Sequence, residues 1–336
     1  MQIKDSLGRP LRDLRISVTD LCNFRCRYCM PAHLYGEEYT FLSKENYMTF
    51  SEIERLVRLF VSLGVSKVRL TGGEPLLRKN LTELVRLISK INGVTDLALT
   101  TNGFLLQEHA DPLKKAGLQR ITVSLDSLND EVFGSMNGRG FSTDRVLQGI
   151  EAARSAGFEN IKVNAVVLRG INDCTLLDLV RYFRGSGITL RFIEYMDVGN
   201  KNGWKREDVM PSAEILRHIS KEYPLEALSK NYLGEVAERY RYKDGAGEIG
   251  FISSVTQPFC GNCTRARLST DGQLFTCLFG NTGTDLKSPL RKGASDEELL
   301  AHIQSVWKRR SDRYSEERFS NSSPREHKIE MYQIGG

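Results

Sequence analysis

The chain has 336 residues, 40% hydrophobic and 26% charged, which excludes a collagen-like, low-complexity or broadly disordered polymer. Its 47 Lys and Arg against 42 Asp and Glu leave a formal net charge of +5, too mild to imply nucleic acid. At roughly 150 residues per domain, the length predicts about two units, or one large α/β body with an appendage, able to bury a core without disulfides. No apolar run approaches the roughly 18 residues that span a bilayer. The opening MQIKDSLGRPLRDL has charges but no apolar stretch, so neither a secretory signal nor a membrane anchor is expected, and the location expected is cytoplasmic. In such a chain seven cysteines read as metal or redox chemistry rather than disulfides.

Up to about Met196, short β-branched runs alternate with helical patterns. The strands read RISVT (Arg15 to Thr19), KVRLT (Lys67 to Thr71), LALTT (Leu97 to Thr101), ITVSLD (Ile121 to Asp126), KVNAVVL (Lys162 to Leu168) and LRFIEYM (Leu190 to Met196). Each is taken as a nearly continuous apolar run, as in a parallel sheet covered on both faces. Between them, Ser51 is expected to cap a helix that carries Ile53, Leu56, Val57, Phe60 and Leu63 on one stripe and stops at Gly64. Similar patterns run from Leu81 to Ile91, Asp144 to Ala156 and Thr175 to Phe183. This is a βα-repeat sheet, doubly wound or a partial barrel. Polar residues gather where its strands end, at Thr19-Asp20, Thr71 to Pro75, Thr100 to Gly103, Ser124 to Ser127 and Glu194, the edge where α/β folds place their chemistry.

After Met196 the rhythm changes. Pro211 to Glu222 reads as a helix, Tyr240 to Phe279 as Gly-punctuated strands with a hairpin at Asp271-Gly272, and Ser295 to Arg309 as a capped helix. The tail from Ser311 has no clear periodicity and is expected to be mobile.

Six of the seven cysteines fall into two groups. TDLCNFRCRYCMP places Cys22, Cys26 and Cys29 in the loop after the first strand, at C-x3-C-x2-C spacing. Three thiolates can hold three corners of a [4Fe–4S] cubane and leave one iron open to a small molecule; a zinc site that borrows a His is the plainer reading. CGNCTRARLSTDGQLFTC places Cys260, Cys263 and Cys277 at C-x2-C-x13-C spacing, again three without an obvious fourth. Zinc is again the plain alternative. Arg265 and Arg267 alternate beside this second group and so share a strand face. Arg15, Arg69, Lys162 and Arg191 also occupy strand positions, where unpaired buried charge is costly. Either each is a solvated or paired charge, or together they await a polyanion, for which guanidinium forks are suited.

The first group, with Tyr28 before its last cysteine, and TGGEP at Thr71 to Pro75 resemble the radical S-adenosylmethionine superfamily. That resemblance implies a partial (βα)6 TIM-like barrel and a [4Fe–4S] cluster on Cys22, Cys26 and Cys29. The two cysteine groups, TRARLS and the terminal Gly335-Gly336 resemble the GTP 3',8-cyclase family of molybdenum-cofactor biosynthesis over essentially the whole chain. The resemblance implies a lyase with two [4Fe–4S] clusters and S-adenosyl-L-methionine as cofactors, GTP as substrate, and an unidentified electron donor. A cyclic pyranopterin monophosphate synthase would act downstream. It assigns Tyr28, Gly73, Ser124 and Met196 to S-adenosylmethionine. It assigns Arg15, Arg69, Thr100, Lys162, Arg191, Arg265, Ala266 and Arg267 to GTP, and Cys260, Cys263 and Cys277 to a second cluster in the C-terminal extension. Gly335 and Gly336 would take part in radical transfer. The implied division is a barrel over 1–200, a substrate and auxiliary-cluster region over 201–310 and a flexible tail over 311–336, as a monomer or homodimer. A radical peptide-modifying enzyme and a zinc-bearing nucleic-acid-binding module are the rival readings; the latter lacks a basic tract or a stacking platform.

Overall fold

A computed structural model describes residues 2–320 and 328–335. Among the described residues, twelve strands form one mixed sheet. In chain order, β1 (Asp13–Ser17), β2 (Lys67–Thr71), β3 (Asp96–Thr101), β4 (Arg120–Ser124), β5 (Lys162–Val167) and β6 (Thr189–Glu194) pair in parallel, each with the next. The crossovers carry α1 (Phe50–Ser62), α2 (Leu81–Ser89), α3 (Leu106–Lys115), α4 (Asp130–Asn137), α5 (Asp144–Ser155) and α6 (Leu176–Phe183). The six strands expected from sequence are all present, with bounds shifted by one or two residues at most of their ends.

The C-terminal half extends this same sheet at both edges. After α7 (Ser212–Ser220) come β7 (Leu225–Leu228), β8 (Glu238–Tyr242) and β9 (Glu248–Ile252), with β9 parallel to β6 and the other two antiparallel outside it. The chain then crosses to the far edge. There β10 (Arg265–Leu268) lies parallel to β1, followed by antiparallel β11 (Gln273–Phe275) and β12 (Thr284–Asp285). The Asp271-Gly272 turn between β10 and β11 is the expected hairpin, with Gly272 at φ +83°. Among the described residues, α8 (Lys287–Arg291), α9 (Asp296–Lys308), α10 (Tyr314–Glu317) and α11 (Met331–Ile334) follow β12.

The strands are not apolar on both faces; they alternate. Leu14, Ile16, Val68, Leu70, Leu97, Leu99, Ile121, Val123, Val163, Ala165, Leu190 and Phe192 are buried against the helices in one continuous core. Each such Leu, Ile, Val or Phe contributes roughly 1.5–3 kcal/mol of burial. The intervening residues, among them Arg15, Lys67, Arg69, Thr100, Arg120, Thr122, Lys162, Asn164 and Arg191, project from the other face. Runs such as KVRLT look apolar because long cation stems hide the period of two.

Other expectations need correction. The cap of α1 is Thr49, not Ser51: Thr49 and Glu52 bond reciprocally as a capping box. Helices α3 and α4 are not expected from sequence, because Pro112 inside α3 and the brevity of α4 mask their period. Within the tail read as mobile, Tyr332 and Ile334 are buried, α11 packs on β1, and Tyr314 stacks on Phe279 with ring centroids 4.5 Å apart. Gly336 lies outside the described residues.

Candidate functional site

Parallel pairing puts the loops after β1, β2, β3 and β4 at one end of the sheet. Cys22, Cys26 and Cys29 occupy the first of these loops, partly buried. Their thiols are all pushed up: Cys22 to about 12 by burial and Glu74, Cys26 by burial and Asp126, Cys29 by burial and Cys22. Burial and mutual repulsion thus oppose ionisation of these three thiols, and a cationic centre would reverse that and hold them as thiolates. The TGGEP turn presses on this loop. A Cβ on Gly73 would strike the Leu21 carbonyl, and one on Gly72, at φ +152°, would strike that of Thr19. The Gly73 and Glu74 amides donate to Thr19 O (2.8 Å) and Leu21 O (2.7 Å). With these two amides spent, the turn has carbonyl oxygens to offer, which suits an ammonium group.

Glu74 ties the second and third loops, accepting from Thr101 Oγ1 and the Asn102 amide at 2.7 Å each, while burial pushes its carboxyl up to about 7. Tyr28 donates to Asp126 Oδ2 (3.0 Å), tying the cysteine loop to the end of β4; burial lifts Asp126 to about 6. Ser124 ends β4 nearby.

A cavity over the polar face brings together Arg15, Arg69, Thr100, Lys162, Arg191, Arg265, Arg267 and Met196. Arg267, Arg15 and Arg69 are direct register neighbours across β10, β1 and β2, so three guanidiniums stand in a row. Arg69 donates to Thr100 Oγ1 at 2.8 Å and Arg191 to Asn164 Oδ1 at 2.9 Å. Burial and then the neighbouring cations lower Arg15 well below its ordinary value, Arg191 and Arg267 to about 9, and Lys162 to about 8. That is cationic crowding with too few acids: Asp96 is already paired with Arg120 at 2.6 Å. The site can neutralise a polyanion. Ala266 is not brought in; it is buried on the helix-covered face of β10, in register with Leu14. Lys67, Arg120 and Asn164 line the cavity and were not singled out from sequence, although Lys67 stands two residues before Arg69 on the same face.

Cys260 and Cys263 precede β10, and Cys277 follows antiparallel β11; all three line this cavity. Because β10 runs parallel to β1, this second group sits at the opposite end of the strands from the first, with the arginine row between them. Arg265 donates to Cys263 Sγ at 3.2 Å. Burial alone would raise the Cys263 thiol, but Arg265 and Arg310 outweigh it and bring it to about 6, while burial and Asp312 lift Cys277 to about 11. Arg9 Nη2 and Arg310 Nε are buried without a hydrogen-bond acceptor. Among the described residues, neither group gathers with others around a single-ion position. A cubane does not need that, since each thiolate binds a different iron.

The C-terminal segment runs between these ends. Tyr332 donates its amide to Cys29 and shares a 2.7 Å hydroxyl bond with Tyr39; Glu330 Oε1 accepts from the Asn200 amide at 3.0 Å. Gly335, at φ +69°, lies so close to Thr71 that a Cβ would strike Cγ2, and its carbonyl accepts from Arg267.

Among known families, the Radical SAM superfamily model matches residues 16–183 and the Molybdenum Cofactor Synthesis C model residues 188–316. The fold and these matches define a radical S-adenosylmethionine protein. The chain is 51% identical to the GTP 3',8-cyclase of Acidothermus cellulolyticus, with 99% of each chain covered. It is 52% identical to that of Xanthomonas campestris pv. campestris (99% of this chain, 97% of the relative) and 48% identical to that of Staphylococcus carnosus (100% and 99%). The chain therefore belongs to the GTP 3',8-cyclase family, and it is a radical S-adenosylmethionine enzyme of molybdenum-cofactor synthesis. Streptococcus suis SuiB, solved with S-adenosylmethionine bound, shares the fold at TM-score 0.60 and 16% identity over 88% of this chain and 68% of SuiB. Among the described residues no helix is long and apolar enough to cross a membrane.

Proposed function

We propose that the parallel strands β1 to β6 form a partial (βα)6 barrel whose two ends hold two [4Fe–4S] clusters, with GTP lying between them on the cationic face. The observation that carries this reading is the Arg267–Arg15–Arg69 row, flanked by one cysteine group at each strand end. Cys22, Cys26 and Cys29 would hold the first cluster, and Cys260, Cys263 and Cys277 the second. The mutual opposition of the first three thiols and the unsatisfied donors behind the second group both suit such centres. Held by Cys22, Cys26 and Cys29, a cluster with S-adenosylmethionine would supply one-electron reductive cleavage of the cofactor, and so the means to take hydrogen from C3' of GTP before C3' joins C8.

The chain's own residues do the rest. Carbonyl oxygens of Gly72 and Gly73 receive the methionine ammonium, while Tyr28, Ser124 and Met196 bound the nucleoside. Arg15, Lys162 and Arg191 neutralise the triphosphate, and Thr100 and Asn164 hold the forks of Arg69 and Arg191 in place. Arg265 sits between the second thiol group and the phosphates. Arg267 holds Gly335 at the boundary between cofactor and substrate, where a residue without Cβ fits and excludes water. The division into 1–200, 201–310 and 311–336, a cytoplasmic location, an external electron donor and a downstream cyclic pyranopterin monophosphate synthase complete the reading. The test is anaerobic turnover with GTP, S-adenosylmethionine and dithionite, scored for 5'-deoxyadenosine and the C3'–C8 product. Protein with about eight irons that yields neither product would refute it.

A further inference from the structure

The N-terminal arm, which no motif singled out, reaches the second cysteine group. Asp5 has a fully buried side chain and gathers four donors: the amides of Leu7 and Arg9 at 2.9 Å, Arg9 Nε at 2.6 Å and Arg310 Nη1 at 3.2 Å. The two arginines then turn to the cysteine loop. Arg9 Nη1 donates to Cys260 O (2.9 Å) and Asp312 O (2.7 Å), and Arg310 Nη1 to Cys263 O (2.8 Å). Trp307 braces the unit, with its ring 4.6 Å from the Arg310 guanidinium and its indole N–H on Arg9 O.

Inside the protein the charge is lopsided. Two buried guanidiniums share one fully buried carboxylate, and the second acid, Asp312, is one-third exposed and reaches Arg310 Nε only as a longer ion pair of 3.6 Å, which solvent screens. Both arginines line the cavity beside Cys260, Cys263 and Cys277, and each keeps one buried N–H without a hydrogen-bond acceptor. A fold brace alone would be cheaper with matched charges or apolar groups, because a buried uncompensated cation is costly. Net charge and donors near a cluster are what set its potential.

We propose that Asp5, Arg9 and Arg310 form a buried, net-positive unit that positions the Cys260–Cys263 loop and raises the electron affinity of the cluster held there. This rests on the two-cluster reading above. None of the three touches the reacting atoms, so they are positioning residues.

The test uses the full chain with Cys22, Cys26 and Cys29 replaced by Ala, which leaves the second group as the sole cluster carrier. After anaerobic reconstitution, iron and sulfide are counted and the cluster is titrated by electron paramagnetic resonance. Asp5→Asn removes the negative charge and should shift the potential up. Arg310→Gln removes a positive charge and should shift it down. Each change should reach about tenfold in the reduction equilibrium, about 59 mV for one electron. Arg310→Lys, which keeps the charge, should stay close to the parent. Shifts of the same sign, or none, overturn the inference, since simple loosening has no reason to change sign with the charge removed. If Asp5→Asn does not fold, the Arg310→Gln and Arg310→Lys pair decides alone. A parent that binds no iron refutes the two-cluster reading itself, and this inference with it. Iron bound at a potential that ignores all three variants refutes only the inference.

Discussion

Arg267 and Gly335 are 68 positions apart in sequence, yet the guanidinium donates directly to the glycine carbonyl at the β10 end of the cationic row. A side chain expected from sequence to read phosphate therefore also holds the C-terminal segment. The two roles are compatible, because a guanidinium has five N–H donors.

Arg267→Ala should weaken GTP binding by roughly 1.5–3 kcal/mol, the scale of a lost charged hydrogen bond, and affect guanosine far less. Because the same residue holds Gly335, its effect on turnover should not add to that of deleting Gly335 and Gly336. The check is a double-mutant cycle on kcat/KM with isothermal titration of both ligands. Additive losses would separate Arg267 from the tail.

The two cysteine groups should be chemically separable. Replacing Cys22, Cys26 and Cys29 by Ala should halve the iron and abolish S-adenosylmethionine cleavage. Replacing Cys260, Cys263 and Cys277 should also halve the iron but leave S-adenosylmethionine binding intact. Full iron in the second triple variant would contradict a cluster at that end.

Much of this site is legible in the sequence because its chemistry is local. Cys22, Cys26 and Cys29 lie within one loop, and Gly72-Gly73 within one turn. Arg265 and Arg267 alternate visibly on one strand. The expectation of two-faced apolar strands failed because Lys67, Arg69 and Lys162 have long aliphatic stems, so periodicity alone counts them poorly. Asp5, Arg9 and Arg310 were invisible for another reason. Their meaning arises from contacts some 300 positions apart, such as the 305-residue separation of Asp5 and Arg310, and no spacing rule reaches that far. The crossing of the chain from β9 to β10, at opposite edges of the sheet, is what makes those contacts, and it leaves no local mark.

Lys162 gives the triphosphate site a pH dependence of known sign. Burial and then Arg191, Arg120 and Arg69 lower its ammonium to about 8. Below that pH the cation is present and attracts phosphate; as pH rises through about 8 it is lost. GTP affinity should therefore fall between about pH 7.5 and 9, while guanosine affinity stays flat. Bound triphosphate favours the charged form, so the midpoint in the complex should lie higher than in the free protein. Lys162→Met should bind GTP more weakly at pH 7 and flatten this part of the profile. A parental slope retained in that variant would place the titrating group elsewhere.

The backbone at Gly335 has a shape that only glycine adopts cheaply. Its φ of +69° lies where an L-residue with a Cβ pays for its conformation, and the Cβ would also strike Thr71 Cγ2 at the end of β2. The conformational part costs roughly 1–2 kcal/mol; the steric part forces the segment away from both Thr71 and Arg267. Gly335→Ala should thus abolish cyclisation while leaving iron content and S-adenosylmethionine binding near parental. Thr71→Ser removes the offending methyl, so the Thr71→Ser, Gly335→Ala double variant should recover part of the activity. Chirality separates the two contributions. An enzyme that lacks Gly335 and Gly336 can be supplied with free tail peptides carrying Gly, D-Ala or L-Ala at the position of Gly335. A D-residue adopts positive φ without penalty, so D-Ala should restore more turnover than L-Ala, and Gly at least as much as D-Ala. Equal rescue by the two enantiomers would mean that the conformation at Gly335 is not what the reaction requires.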